Sequence, residues 1–170
     1  MLSEGGLKQL NLRALAGRAG ITAASMYHHY RSKSELLGAL ASGGFVELRR
    51  DLERAGRGAA LEKRLSGWAY AYCRFAAAEP ALFGLMFDPE IAALPQVAEA
   101  RAEVVAQLRQ VVSEVARRYD RGERRLDEVT LAVWAAAHGA ASLGASAPSG
   151  SQLMEKVTAG LEALFGVAAG

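Results

Sequence analysis

Apolar positions recur at steps of three and four along almost the whole chain, and no stretch alternates convincingly with period two. That spacing predicts an all-α protein. Leu12, Leu15 and Ala16 share one face of a short helix opened by Asn11, a good N-cap, and closed at Ala19-Gly20. Thr22 caps a second short helix through Tyr30, with Met26 and Tyr30 facing inward one turn apart. Ser32-Lys33-Ser34-Glu35 has the form of a capping box, in which serine and glutamate satisfy each other's free amides. It opens a long helix to about Arg54, with Leu36, Leu37, Leu40, Phe45 and Leu48 as its buried positions.

After the linker "AGRGAA", the positions of Leu61, Leu65, Trp68, Tyr72 and Phe75 predict a helix over 61–78. Pro80 closes it and starts a short one, "PALFGLMF". "DPEIAALP" reads as a loop or irregular turn, with Pro89 and Pro95 as breakers. A helix from Gln96 to Tyr119 turns Val97, Val104, Val105, Leu108, Val111, Val112 and Val115 inward, and "DRGERR" breaks it. A seventh helix spans about Leu126–Ala145; "SAPSG" interrupts, and Gln152–Phe165 makes the last.

A chain of 170 residues can bury one good core, or a small headpiece beside a larger domain. Net charge is only +2 but unevenly placed. Residues 1–58 carry nine Lys/Arg against five Asp/Glu, and residues 59–170 eleven against thirteen, which hints at an anionic partner for the front. Cys73 is the sole cysteine, so an internal disulfide and a cysteine-based zinc site are excluded. No apolar run approaches the roughly 18–20 residues of a membrane span, and "MLSEGGLKQLN" lacks the layout of a secretory signal. A cytoplasmic protein without membrane association is expected.

The candidate chemistry concentrates in "GITAASMYHHYRSKSELL", residues 20–37. Two helices of about eight residues joined by a tight glycine turn form a helix-turn-helix pattern. On the second helix, Ala24 and His28 point away from the Met26/Tyr30 face, flanked by Ser25 and Tyr27. Small residues there permit close approach to base edges. Tyr27, His28 and Lys33 form a rim able to donate to phosphates, and the helix end at Thr22 adds free amides and a positive dipole end. A metal site fails on geometry, because adjacent residues such as His28 and His29 diverge by about 100° on a helix. Catalysis lacks a nucleophile or acid at a useful spacing. Two readings stay open: a DNA-contacting surface, or solvated side chains on a core helix.

"LNLRALAGRAGITAASMYHHYRSKSELLGAL" resembles the DNA-binding headpiece of the TetR family of transcriptional regulators. Asn11, Leu12-Arg13, Leu15-Ala16, Gly20-Ile21-Thr22, Tyr27, His29, Tyr30 and Lys33 stand at the family's motif positions. The resemblance implies that Arg13, Ala23, Ala24 and Ser25 face bases or nearby backbone, and that Tyr27, His28, His29 and Lys33 contact phosphates. Tyr30 replaces the usual phenylalanine. The family's first helix normally precedes this unit, whereas only ten residues precede Asn11 here, and Gly5-Gly6 resembles the end of that helix. If Met1 is the true start, the missing burial of several apolar side chains, about 1.5–3 kcal/mol each, predicts a mobile headpiece and weak DNA binding.

"AYCRFAAAEPALFGLMF" and the later "AVWAAAHGAASLGAS" resemble the C-terminal domain of a TetR subgroup with a Trp-His-Gly signature, here Trp134, His138 and Gly139. The expected organisation is a headpiece over residues 1–45 and a helical effector-binding and dimerisation body over 46–170. Trp68, Tyr72, Phe83, Met86, Phe87, Trp134 and His138 supply surface for an apolar pocket, or alternatively a packed core. No third group orients His138, so no catalytic pair is expected with Trp134, and no metal or cofactor is implied. The reading is a homodimeric regulator, most often a repressor in this family, whose last two helices pair with a second subunit. It would bind double-stranded DNA at a pseudo-palindromic operator and respond to a small apolar effector. The rival is a helical small-molecule-binding module without DNA binding.

Overall fold

The computed structural model describes residue 30, residues 32–118, residues 125–144 and the isolated positions 156 and 159. The predicted DNA contacts at Arg13, Thr22, Ala23, Ala24, Ser25, Tyr27, His28 and His29 lie outside the described residues, as do the first-helix region and nearly all of the expected last helix. Every regular element among the described residues is a helix, and none of these residues forms a strand.

Helix α1 spans Lys33–Gly56. Its start is the expected one: Ser32 caps it, the side chain accepting from the amide of Glu35 at 3.1 Å. Leu37, Ala41, Phe45, Leu48 and Leu52 lie buried along one face, Leu36 is buried outside that stripe, and Leu40 is only half-buried. After Arg57 the chain turns at Gly58, whose φ of +70° is a conformation that suits a residue without Cβ. Helix α2, Leu61–Ala78, and helix α3, Pro80–Met86, fall where the spacing and Pro80 place them. Trp68, Tyr72 and Phe75 are buried on α2, with Leu65 half-buried behind them.

"DPEIAALP" departs from the expected loop. Pro89–Ala92 is a one-turn helix, α4, and Pro95–Arg118 is helix α5. The reason is capping: one Asp88 carboxylate oxygen accepts from the amides of Glu90 and Ile91, at 3.0 and 3.2 Å. Proline lacks the amide that a first-turn residue would leave unpaired, so here it begins helices instead of ending them. Pro80, Pro89 and Pro95 all do so. On α5 only Val97, Val104, Leu108 and Val112 are buried; Val105, Val111 and Val115 are half-buried. Helix α6 is Leu126–Gly144.

Helix α1 packs along both α5 and α2, and α6 closes on α2 and α5. The short α3 and α4 also contact α1. Close approach here depends on glycine. A Cβ at Gly44 would sit 2.7 Å from Met86 Sδ, and one at Gly38 would sit 2.5 Å from Gln96 Nε2. Ion pairs tie the helices at the periphery, Arg64 to Glu114 at 2.5 Å between α2 and α5 and Arg109 to Asp127 at 2.6 Å between α5 and α6. Among the described residues no helix is long and apolar enough to cross a membrane.

Candidate functional site

Three helices deliver aromatic side chains to one place. On α2, Trp68 and Tyr72 are one turn apart and stack with ring centroids 5.3 Å apart and planes 15° apart. From α3 and its C-cap come Phe83, Met86 and Phe87. From α6 come Trp134 and His138, again one turn apart. Their spacing of four puts each pair on one face of its helix, so all seven residues singled out in the sequence converge.

The contacts are ring on ring. Tyr72 meets Phe83 edge-on at 5.6 Å and Trp134 at 5.6 Å, and Phe87 meets His138 at 4.3 Å. Phe83 lies nearly parallel to the His138 ring at 5.4 Å. Tyr72 and Met86 are fully buried, whereas Phe87, Trp134 and His138 are half-buried and form the outer side of the cluster. The cluster also reaches α1, for Phe45 packs edge-on against Phe87 at 5.4 Å.

One polar contact sits among these rings. The Tyr72 hydroxyl lies 3.0 Å from His138 Nδ1. This partner was not visible in the sequence, where His138 stood without an orienting group. Burial pushes the Tyr72 phenol far above its ordinary range, the neighbouring Cys73 adding to the effect. Burial also lowers the His138 pKa. Both groups are therefore neutral near pH 7, and the bond between them is a neutral one that either imidazole tautomer can form. Burial raises the Cys73 thiol to about 11, so it is protonated, and it donates a long hydrogen bond to the Ala137 carbonyl at 3.6 Å. These features make an apolar, uncharged surface with a single hydrogen-bonding pair. Among the described residues, no group of three or more His, Cys, Asp or Glu could hold a metal ion.

At the N-terminal end of α1, Lys33 occupies the first helical position and is exposed. It stands directly after the capping serine, at the junction with residues 1–29.

Residues 1–40 match the model of the bacterial regulatory proteins of the tetR family, and residues 65–167 match the tetracyclin repressor-like C-terminal domain. A solved structure, described as a protein with unknown function from Rhodococcus sp. RHA1, superposes with a TM-score of 0.74 at 32% identity. The match covers 98% of this chain and 89% of that one. No curated protein matches the sequence significantly.

Proposed function

The chain belongs to the TetR family of bacterial DNA-binding regulatory proteins, and we propose that it acts as a homodimeric repressor whose hold on DNA is set by a small apolar ligand. The observation that carries the ligand part is the contact between the aromatic cluster and α1. Phe87 touches Phe45, and Met86 lies over Gly44, so a ligand that parts these rings must also displace the helix leading from the headpiece. Such a ligand shifts the DNA equilibrium only through a difference in its affinity for the two arrangements. In this reading Trp68, Tyr72, Phe83, Met86, Phe87, Trp134 and His138 receive the ligand, in a body of the Trp-His-Gly subgroup.

At the headpiece, Arg13, Ala23, Ala24 and Ser25 read bases, while Thr22, Tyr27, His28, His29 and Lys33 hold phosphates. The dimer forms through α6 and the segment after it. In support, Leu131, Ala132, Ala135, Ser142 and Leu143 fall on one exposed face of α6, and the two leucines are 68% and 64% exposed.

The test is binding to the DNA flanking its own gene, measured against an unrelated duplex at two salt concentrations. A regulator shows selective binding with a steep salt dependence. Lys33→Ala should weaken every duplex alike and reduce the salt slope by about one, whereas Ser25→Ala should change the preference between duplexes. No selectivity under any of these conditions would leave a helical small-molecule-binding module in place of the repressor.

A further inference from the structure

A cleft lies beside Trp68, and His138 is not among its described lining residues. It has a volume of ≈ 160 Å³, opens to solvent, and is walled by the end of α1, the start of α2 and the later half of α5. Leu52, Trp68 and Val111 supply apolar wall, and Gln107, Arg64 and Glu114 the polar part. Two of these residues carry a buried polar atom without a partner: Trp68 Nε1, a donor, and Gln107 Oε1, an acceptor. Trp68 itself is 2% exposed.

Unpaired buried polar atoms are uncommon because each forfeits its hydration without recompense. Here a donor and an acceptor share the wall of one cleft. We propose that this cleft binds a compact neutral molecule carrying both a carbonyl and an N–H, of the lactam or cyclic imide kind. The carbonyl accepts from Trp68 Nε1 and the N–H donates to Gln107 Oε1. Both atoms are covered, so binding requires the unbranched Gln107 side chain to swing and present its Oε1 to the ligand.

Charge and size narrow the class. The charged wall residues are Glu53, Arg64 and Glu114. Arg64 is already paired with Glu114, and Glu53 with Arg49, so among the described residues of the wall no free cation is left to hold an anion. The volume is close to that of engineered cavities of about 150 Å³ that take a benzene-sized molecule, and a six-membered lactam fits that limit. The open mouth lets a larger ligand extend outward. The site is independent of the repressor reading, since it can fill whether or not the headpiece holds DNA.

The experiment follows the indole N–H resonances of the full chain in nitrogen-15 correlation spectra. The chain has two tryptophans, and Trp134→Phe assigns which signal is Trp68. δ-Valerolactam should move the Trp68 signal downfield and saturate. Cyclohexanone has nearly the same shape but no N–H, and it should bind roughly five- to tenfold more weakly. Gln107→Leu should weaken the lactam by a similar factor. A shift that fails to saturate, equal affinity for the two probes, or full lactam affinity in the folded Gln107→Leu chain would each overturn the proposal, leaving a cleft that holds water only. Should Gln107→Leu fail to fold, the two probes on the unaltered chain decide.

Discussion

Tyr72 on α2 and His138 on α6 meet hydroxyl to Nδ1 at 3.0 Å, joining helices whose contacting residues are 66 positions apart in the chain. Tyr72→Phe keeps the ring packing and removes this one bond, leaving a half-buried imidazole nitrogen without its partner. We expect a loss of about 1–2 kcal/mol, read as a lower urea midpoint at unchanged slope. A midpoint that does not move would mean that water takes over from the phenol at no cost.

The same pair makes stability depend on pH. Burial lowers the His138 pKa below its ordinary 6.5, so the unfolded chain takes up the proton first. The stabilisation held by the neutral ring is complete above about 6.5 and is lost as pH falls from there through the lowered folded value. Urea titrations between pH 7.5 and pH 5 should show stability falling toward acid. His138→Gln should flatten that fall; a slope that survives the substitution would assign the linkage to other groups.

Glycines within α1 should answer differently to the same change. A Cβ at Gly43 meets nothing within 4 Å, whereas one at Gly44 meets Met86 Sδ at 2.7 Å and Leu82 at 3.1 Å. Gly43→Ala should gain roughly 0.5–1 kcal/mol from helix propensity alone. Gly44→Ala should lose about 1–3 kcal/mol through overpacking. Thermal unfolding of the two variants side by side checks the pair, and equal midpoints would show that Met86 and Leu82 yield freely.

Much of this architecture is legible in the sequence, for reasons that also explain the misses. Leu61–Ala78 is bounded correctly because Leu61, Leu65, Trp68, Tyr72 and Phe75 set a clear helical period and Pro80 ends it. Counting large apolar residues misjudges α1, where Leu40 is half-buried and Ala41 wholly buried. Neighbouring side chains come closest to that helix at Gly38 and Gly44, and Ala41 is wholly covered, so small residues that admit neighbours, and not side-chain bulk alone, mark the covered face. The sequence does not announce the helix at Pro89–Ala92, because proline is ambiguous until the Asp88 cap beside it is seen. The seven aromatic-cluster residues could be nominated by type and spacing, but the Tyr72–His138 bond could not. It exists only once α2 and α6 are set side by side.

The exposed face of α6 should report on assembly. Leu131→Glu together with Leu143→Glu places charge on two side chains that are 68% and 64% exposed in the single chain. Burying two carboxylates at an apolar subunit contact is costly, so under the proposed dimer reading sedimentation should show dimer giving way to monomer while helicity by circular dichroism holds. An unchanged sedimentation coefficient would place the contact elsewhere.

Helix α1 is 24 residues long and is packed from Leu36 to Leu52, which gives a rod of about 36 Å at 1.5 Å per residue. With Gly38 and Gly44 pressed against neighbours, the rod has no slack joint along that face. It therefore works as a lever: a tilt of about 5° at the Leu52 end swings the Ser32 end by about 3 Å over that length. A displacement of that size is comparable with a hydrogen-bond length, and because Leu36, Leu37 and Gly38 are packed near that end, the neighbours seated on them must move with it.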